Sequence, residues 1–338
     1  STYFMQSSNT ATTEENQRRA QQPPSACEGR ARMIHAYAIE PDCVVAWCDR
    51  RAFRLVSGRF GVGTPRLLLE LPKFSSWKKA VFEAASNANL SELDRTRLTE
   101  LFKLLGDQRV RRVGTSYDGT RPWLENAEAE HTRHPFAAII AMANPRSHAA
   151  VLLDASVGDE SNPLWYRPLA ATPPRTPEGM AAVVSALVEN CDELHLVDPY
   201  FGPVRHRKVL EQLLAIVASR PSGQPKDICV HCSADKDVSL TCFEQQTAQM
   251  TSRIAAGVKV RFKRWSERAN GEKFHNRYLL TDIGGVIFGV GLDAGSASQT
   301  DDVNLMDAVQ FLKRWGQFNG VCAFDLVDEP TAVVGVKT

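Results

Sequence analysis

Apolar and polar positions follow different periods in different parts of this chain, and the change of period divides it. Residues 1–27 show no period, are rich in Ser, Thr, Asn and Gln, and reach Pro23-Pro24; they read as a disordered arm. From 28 to 168 the pattern is mixed. Short apolar runs at 43–49, 52–58 and 65–71 predict strands of a meander, and runs at 136–144 and 148–156 predict two further buried strands. The segments 75–88 and 90–106 repeat their apolar residues at helical spacing, each near a Ser able to cap a helix. The expectation for this half is an α+β N-terminal domain.

Residues 167–179 hold Pro168, Pro173, Pro174 and Pro177 and read as a linker. Beyond it, from 169 to 338, the two periods alternate. Helices are expected at 177–190, 207–220, 242–257 and 306–318. Strands are expected at 193–201, 227–233, 258–265, the stretch carrying His275, and 285–292. Strands separated by helices predict an α/β sheet covered on both faces.

Composition narrows the partners more than the fold. Forty basic residues against thirty-nine acidic ones leave a net charge of +1, so a nucleic acid or anionic surface would need a local basic patch. The eight cysteines are scattered, several inside apolar runs, and no run of 18 apolar residues occurs. The reading is a reduced, cytoplasmic protein without membrane insertion. Cys229, His231 and Cys232 share one short apolar run; alternation sends the two cysteines to opposite faces, which favours core packing over a metal or redox motif. His195 reads likewise as a core histidine.

The chemistry is concentrated near His275. On an extended strand His275 and Arg277 share a face, whereas Asp282 is off that parity and needs the turn at Gly284 and Gly285 to approach. A guanidinium offers a bidentate fork to phosphate oxygens, and an imidazole can attack phosphorus or move a proton near neutral pH. Lys259, Arg261 and Lys263 alternate with Val258, Val260 and Phe262, giving one basic strand face. Residues 205–208 add further positive charge after the turn Asp198-Pro199-Tyr200-Phe201, and Trp265, Tyr200 and Phe201 could stack on bases.

His275-x-Arg277-x4-Asp282 resembles the HxKx4D motif of the phospholipase D superfamily, with Arg in place of Lys. The resemblance spans roughly residues 177 to 320 and includes the Asp198–Phe201 turn. It is closest to single-motif phospholipase D-like domains, at the C terminus of MIT-domain proteins and in bacterial defence proteins. It implies a phospholipase D-like mixed sheet flanked by helices. It also implies His275 as a nucleophile passing through phosphohistidine, Arg277 on a non-bridging oxygen and Asp282 orienting the imidazole, with no metal and no cofactor. Asp198, Tyr200, Arg205, Lys259, Arg261, Lys263 and Asp293 are the expected substrate contacts.

Where the family carries a Gly-Ser-x-Asn element, Gly289 is followed here by Val290, Gly291, Leu292 and Asp293. No second motif copy is evident: His148 and Asp154 lack the cation, and His131 and Arg133 lack the acid. Either two chains supply one His275 each across a two-fold axis, or the N-terminal half is a decayed copy completing the fold. The implied activity is a nuclease-type phosphodiesterase on nucleic acid, DNA first, in bacterial antiviral defence, as a homodimer with partner proteins of a defence complex. The alternative is a phosphate- or nucleic-acid-binding module without turnover, or a structural subunit.

Overall fold

The computed structural model describes residues 32–220, 223–235 and 239–336; the arm expected over 1–27 lies outside them. The first sheet consists of β1 (His35–Ile39), β2 (Arg66–Leu69), β3 (Arg109–Val110), β4 (Ala138–Ala141) and β5 (Val151–Leu153). All its pairings are parallel, in the order β3-β2-β1-β4-β5. The connections carry α1 (Pro41–Ala46), α2 (Arg50–Val56), α3 (Phe74–Asn87), α4 (Glu92–Gln108) and α5 (Trp123–Arg133).

This half is therefore a parallel α/β unit, which corrects the α+β meander read from its short apolar runs. The runs at 43–49 and 52–58 fall on α1 and α2. Cys43, Val44, Trp47 and Cys48 are buried at helical spacing, while Asp42 and Asp49 are exposed. Asp49 caps α2 by accepting the Arg51 and Ala52 N–H groups at 2.8 and 3.3 Å. Helices of six and seven residues show too little of the 3.6-residue period to be told from buried strands. Ser91 does cap α4 as expected, in a capping box with Asp94.

The remaining helices are α6 (Pro177–Asn190), α7 (Arg207–Ser219), α8 (Leu240–Ala248) and α9 (Ala308–Phe318). The second sheet is mixed. Its strands are β6 (Ala170–Ala171), β7 (Glu193–Val197), β8 (Asp227–Ser233), β9 (Lys259–Ser266), β10 (Arg277–Thr281), β11 (Gly284–Phe288), β12 (Val303–Leu305), β13 (Asp325–Leu326) and β14 (Thr331–Val334). They run in the order β13-β9-β8-β7-β10-β11-β12-β6, with β14 also on β9. β7, β8 and β9 are parallel to one another and the other pairings are antiparallel. The proline-rich stretch supplies β6, an edge strand on β12, and a further bridge from Pro174 to Thr300.

One helix explains how the two sheets share a core. α6 buries Met180, Ala181, Val183, Val184, Ala186, Leu187 and Val188, so it is apolar around most of its circumference and needs cover on both sides. Its cluster includes Leu67, Leu69 and Ile139 from the first sheet and Leu194, Leu196 and Leu279 from the second. The other face of the first sheet packs Tyr37, Ile39, Leu68 and Ile140 against Trp47, Trp77, Leu98 and Leu101. The other face of the second sheet packs Val197, Tyr278 and Leu280 against Phe311 and Phe318 of α9. No helix among the described residues is long and apolar enough to cross a membrane.

Candidate functional site at the carboxyl end of β7

The parallel strands β7, β8 and β9 end at one edge of the mixed sheet. β10 runs antiparallel to β7 with Tyr278 opposite Val197, which brings Arg277 level with Asp198 at that edge. Crevices beyond the carboxyl ends of such strands are the usual ligand positions in α/β sheets.

Asp198 is the anchor. Its side chain is 2% exposed, and it accepts the Tyr200 N–H at 3.0 Å and the Leu292 N–H at 3.1 Å. His206 Nε2 donates toward Asp198 Oδ2 at 3.3 Å, since a carboxylate only accepts, and its Nδ1 lies against the Gly202 N–H at 3.0 Å and the Gly202 carbonyl at 3.3 Å. The imidazole also stacks on Phe201. Arg277 Nε lies 4.0 Å from Asp198 Oδ1 and, although buried, has no hydrogen-bond acceptor. The Arg277 guanidinium sits over the Tyr200 ring, 4.9 Å from its centroid.

Asp293 forms the second anchor. Its Oδ1 accepts from Arg175 at 2.5 Å and its Oδ2 from Arg205 Nε at 2.9 Å. Burial alone would raise this carboxyl, but the Arg205 hydrogen bond and the Arg175 charge outweigh it and hold the group below its usual value. Buried Asp301 accepts the Val290 and Gly291 N–H groups at 2.9 and 3.4 Å. Gly291 has φ +144°, and a Cβ there would lie 3.2 Å from Asp198 Oδ2 and 3.4 Å from Asp293 Oδ1. Only a glycine lets this turn pass between the two carboxylates. The Val290, Gly291 and Leu292 N–H groups of this turn are thus spent on the protein's own acids.

Of the residues singled out in the sequence, Asp198, Tyr200, Arg205, Arg277 and Asp293 meet at this edge. His275 is exposed two residues before β10 and makes no hydrogen bond to another described residue. Asp282 does not meet it, which corrects its expected orienting role. Asp282 follows the opposite end of β10, about 20 Å along an extended strand, and accepts the Asp192 and Glu193 N–H groups at 2.8 and 3.0 Å.

The basic strand face is also elsewhere. Lys259, Arg261 and Lys263 do alternate with buried Val260 and Phe262. In register, however, Arg261 pairs with Cys229 and Lys263 with His231, on the face away from Asp198 and Arg277. Arg261 is held there by a bidentate pair with Asp227. Trp265 and Phe201 are buried, leaving Tyr200 as the exposed ring among the three expected stacking residues.

Two members of the site escaped the sequence reading, and a third is placed differently: residues 205–208 read as positive charge beside the Asp198 turn, and His206 of that run is buried against Asp198. Arg175 belongs to the proline-rich stretch, and Asp301 follows a polar loop without periodicity. Their signal is three-dimensional only.

A second polar cluster lies under α9. His195 Nδ1 and His231 Nε2 are 2.8 Å apart, and the Trp265 indole N–H donates to His231 Nδ1 at 3.0 Å. An indole can only donate, so the His231 proton is on Nε2 and is given to His195. His195 Nε2 then carries a buried proton with no acceptor, 3.8 Å from Glu193 Oε2. Cys229 joins them in a group whose metal-ligating atoms lie within 4.8 Å of one another. These residues fit a cation poorly, because the facing nitrogen of His231 is protonated and Lys263 and Arg261 bring positive charge to the pair. Burial lowers His195 to about 4 and His231 well below its ordinary value, and raises the Cys229 thiol to about 11. The cluster serves the core.

Compared with known protein families, curated proteins and solved structures, the chain matches none.

Proposed function

We propose that this chain binds a phosphodiester of nucleic acid at the carboxyl end of β7, with Arg277 as the phosphate ligand. The supporting observation is the ordering of charge by depth. Asp198 and Asp301 are sealed off, whereas the Arg277 and Arg205 side chains are 28% and 66% exposed. A ligand approaching this edge meets guanidinium groups first. Asp293 holds Arg205 by a hydrogen bond, and Asp198 lies beneath Arg277 at 4.0 Å from its buried Nε, so it is the partly exposed end of the Arg277 guanidinium that faces a ligand. In this reading the chain is phospholipase D-like in its use of a strand-borne cation opposite the Asp198 turn.

A second reading, cleavage through phosphohistidine, is favoured by one observation. His275 is exposed two residues before Arg277, the first residue of β10, at the same edge of the sheet. His275 would attack phosphorus, and the leaving oxygen would take its proton from the His275 of a second chain across a two-fold axis. The displacement of Asp282 counts against turnover and places binding first.

Incubation of labelled DNA and RNA with wild type, His275→Ala and Arg277→Ala, with and without a chelator, separates the two. Binding without turnover predicts intact substrate in every lane and complex formation weakened only in Arg277→Ala. Chelator-insensitive cleavage that disappears in His275→Ala establishes the second reading instead.

A further inference from the structure

The rim of the site carries more information than its charge. Tyr200 is 40% exposed beneath the Arg277 guanidinium, and Val204 and Val290 are exposed on the segments that carry Arg205 and Gly291. Val204 precedes Arg205, and Val290 precedes Gly291, whose Cβ position is 3.7 Å from Arg277 Nε. A phosphate-holding cation over a partly exposed aromatic ring is poorly matched to a duplex, which offers a charged backbone and keeps its base faces stacked inside. It suits a strand whose bases are free to lie on a ring or on a guanidinium plane next to the bound phosphate.

We propose that the Tyr200–Arg277 stack makes this site selective for single-stranded nucleic acid, with Arg277 on the phosphate and the Tyr200 ring as the platform for an adjacent base. The inference rests on the phosphodiester reading above and adds the substrate class. Charge complementarity selects the polyanion, through the outward Arg277 and Arg205. The exposed Tyr200 ring selects unstacked bases, because burying it against sugar and phosphate brings no gain. Stacking on a ring reads no base edge, so selectivity among the four bases is weak.

The test is fluorescence anisotropy at about 50 mM salt, where few-contact phosphate binding is strongest. The probes are oligo(dT), a duplex of the same length, and vesicles of phosphatidylglycerol. The expected result is single-strand binding at least about tenfold tighter than duplex binding, the scale of one stacked base. Tyr200→Ala removes that preference while duplex binding stays within about twofold, and Tyr200→Phe retains it, showing that the ring and not the hydroxyl is needed. Equal affinity for both DNA forms, unchanged in Tyr200→Ala, overturns the single-strand inference and leaves Arg277-dependent phosphate binding standing. Vesicle binding without a single-strand preference replaces nucleic acid with a lipid surface. If none of the three probes binds in a salt-dependent way, the phosphodiester reading itself falls.

Discussion

Replacing Asp198 with Ala destabilises the protein by about 3–5 kcal/mol, the range for removing one partner of a buried, hydrogen-bonded charge network. Three donors lose their acceptor at once: the Tyr200 N–H, the Leu292 N–H and His206 Nε2–H. Each stranded donor costs about 1–3 kcal/mol when water cannot replace the carboxylate. Gly291 passes close beside the same oxygen, so collapse of the turn into the space is limited by backbone. Asp198→Asn keeps one oxygen acceptor but sets an amide N–H₂ against a donor, and its loss falls between wild type and Ala. Urea unfolding at neutral pH checks both, with the midpoint lowered and the slope unchanged. A loss below about 1 kcal/mol for Asp198→Ala contradicts the assignment of this carboxylate as the anchor.

Mild acid weakens the fold through the histidine pair under α9. In the folded protein His195 and His231 are neutral, held by burial below the ordinary value of 6.5, His195 at about 4. The unfolded chain takes up these protons as pH falls through 6.5 and the folded chain does not. Unfolding is therefore favoured progressively between pH 6.5 and about 4. His195 alone removes about 3 kcal/mol across that window, at about 1.4 kcal/mol per pH unit. Protonating the pair in place would set two N–H groups against each other, with Lys263 and Arg261 adding repulsion and Asp227 opposing it. Asp293, held low by Arg205 and Arg175, adds its own loss at more acid pH. His231→Gln retains an acceptor for the Trp265 indole and removes one titrating ring. Its stability against pH between 6.5 and 4 is flatter than wild type by about one proton. Parallel curves for the two proteins contradict the neutral buried pair.

The second half of the fold was largely legible because its elements are long enough to show their period. β7, α7, β8, β9 and β11 fall where alternation and helical spacing predict them. The expected helix over 242–257 stops at Ala248, since Gln249 already leaves it and turns follow. The first half was misread where helices of one to two turns bury apolar residues in runs, as at Cys43, Val44 and Trp47. At the candidate site, the Asp198 turn and the glycine-rich stretch after β11, both marked by local chemistry, do meet at one edge of the mixed sheet. Lys259, Arg261 and Lys263 were misassigned for a different reason. Their alternation is correct, but which sheet face they occupy depends on register with β8, and a single strand does not encode that. Asp282 fails through strand length, since five paired residues of β10 separate it from His275.

The central claim is that Arg277 holds a phosphodiester. Its most direct test is the salt dependence of oligo(dT) binding by anisotropy, wild type against Arg277→Ala. With Arg277 and Arg205 as the phosphate contacts, the plot of log K against log salt has a slope of about −1.4, at about −0.7 per contact on a single strand. In Arg277→Ala the slope falls by about one contact and affinity drops at every salt concentration. Identical slopes and affinities for the two proteins contradict the account.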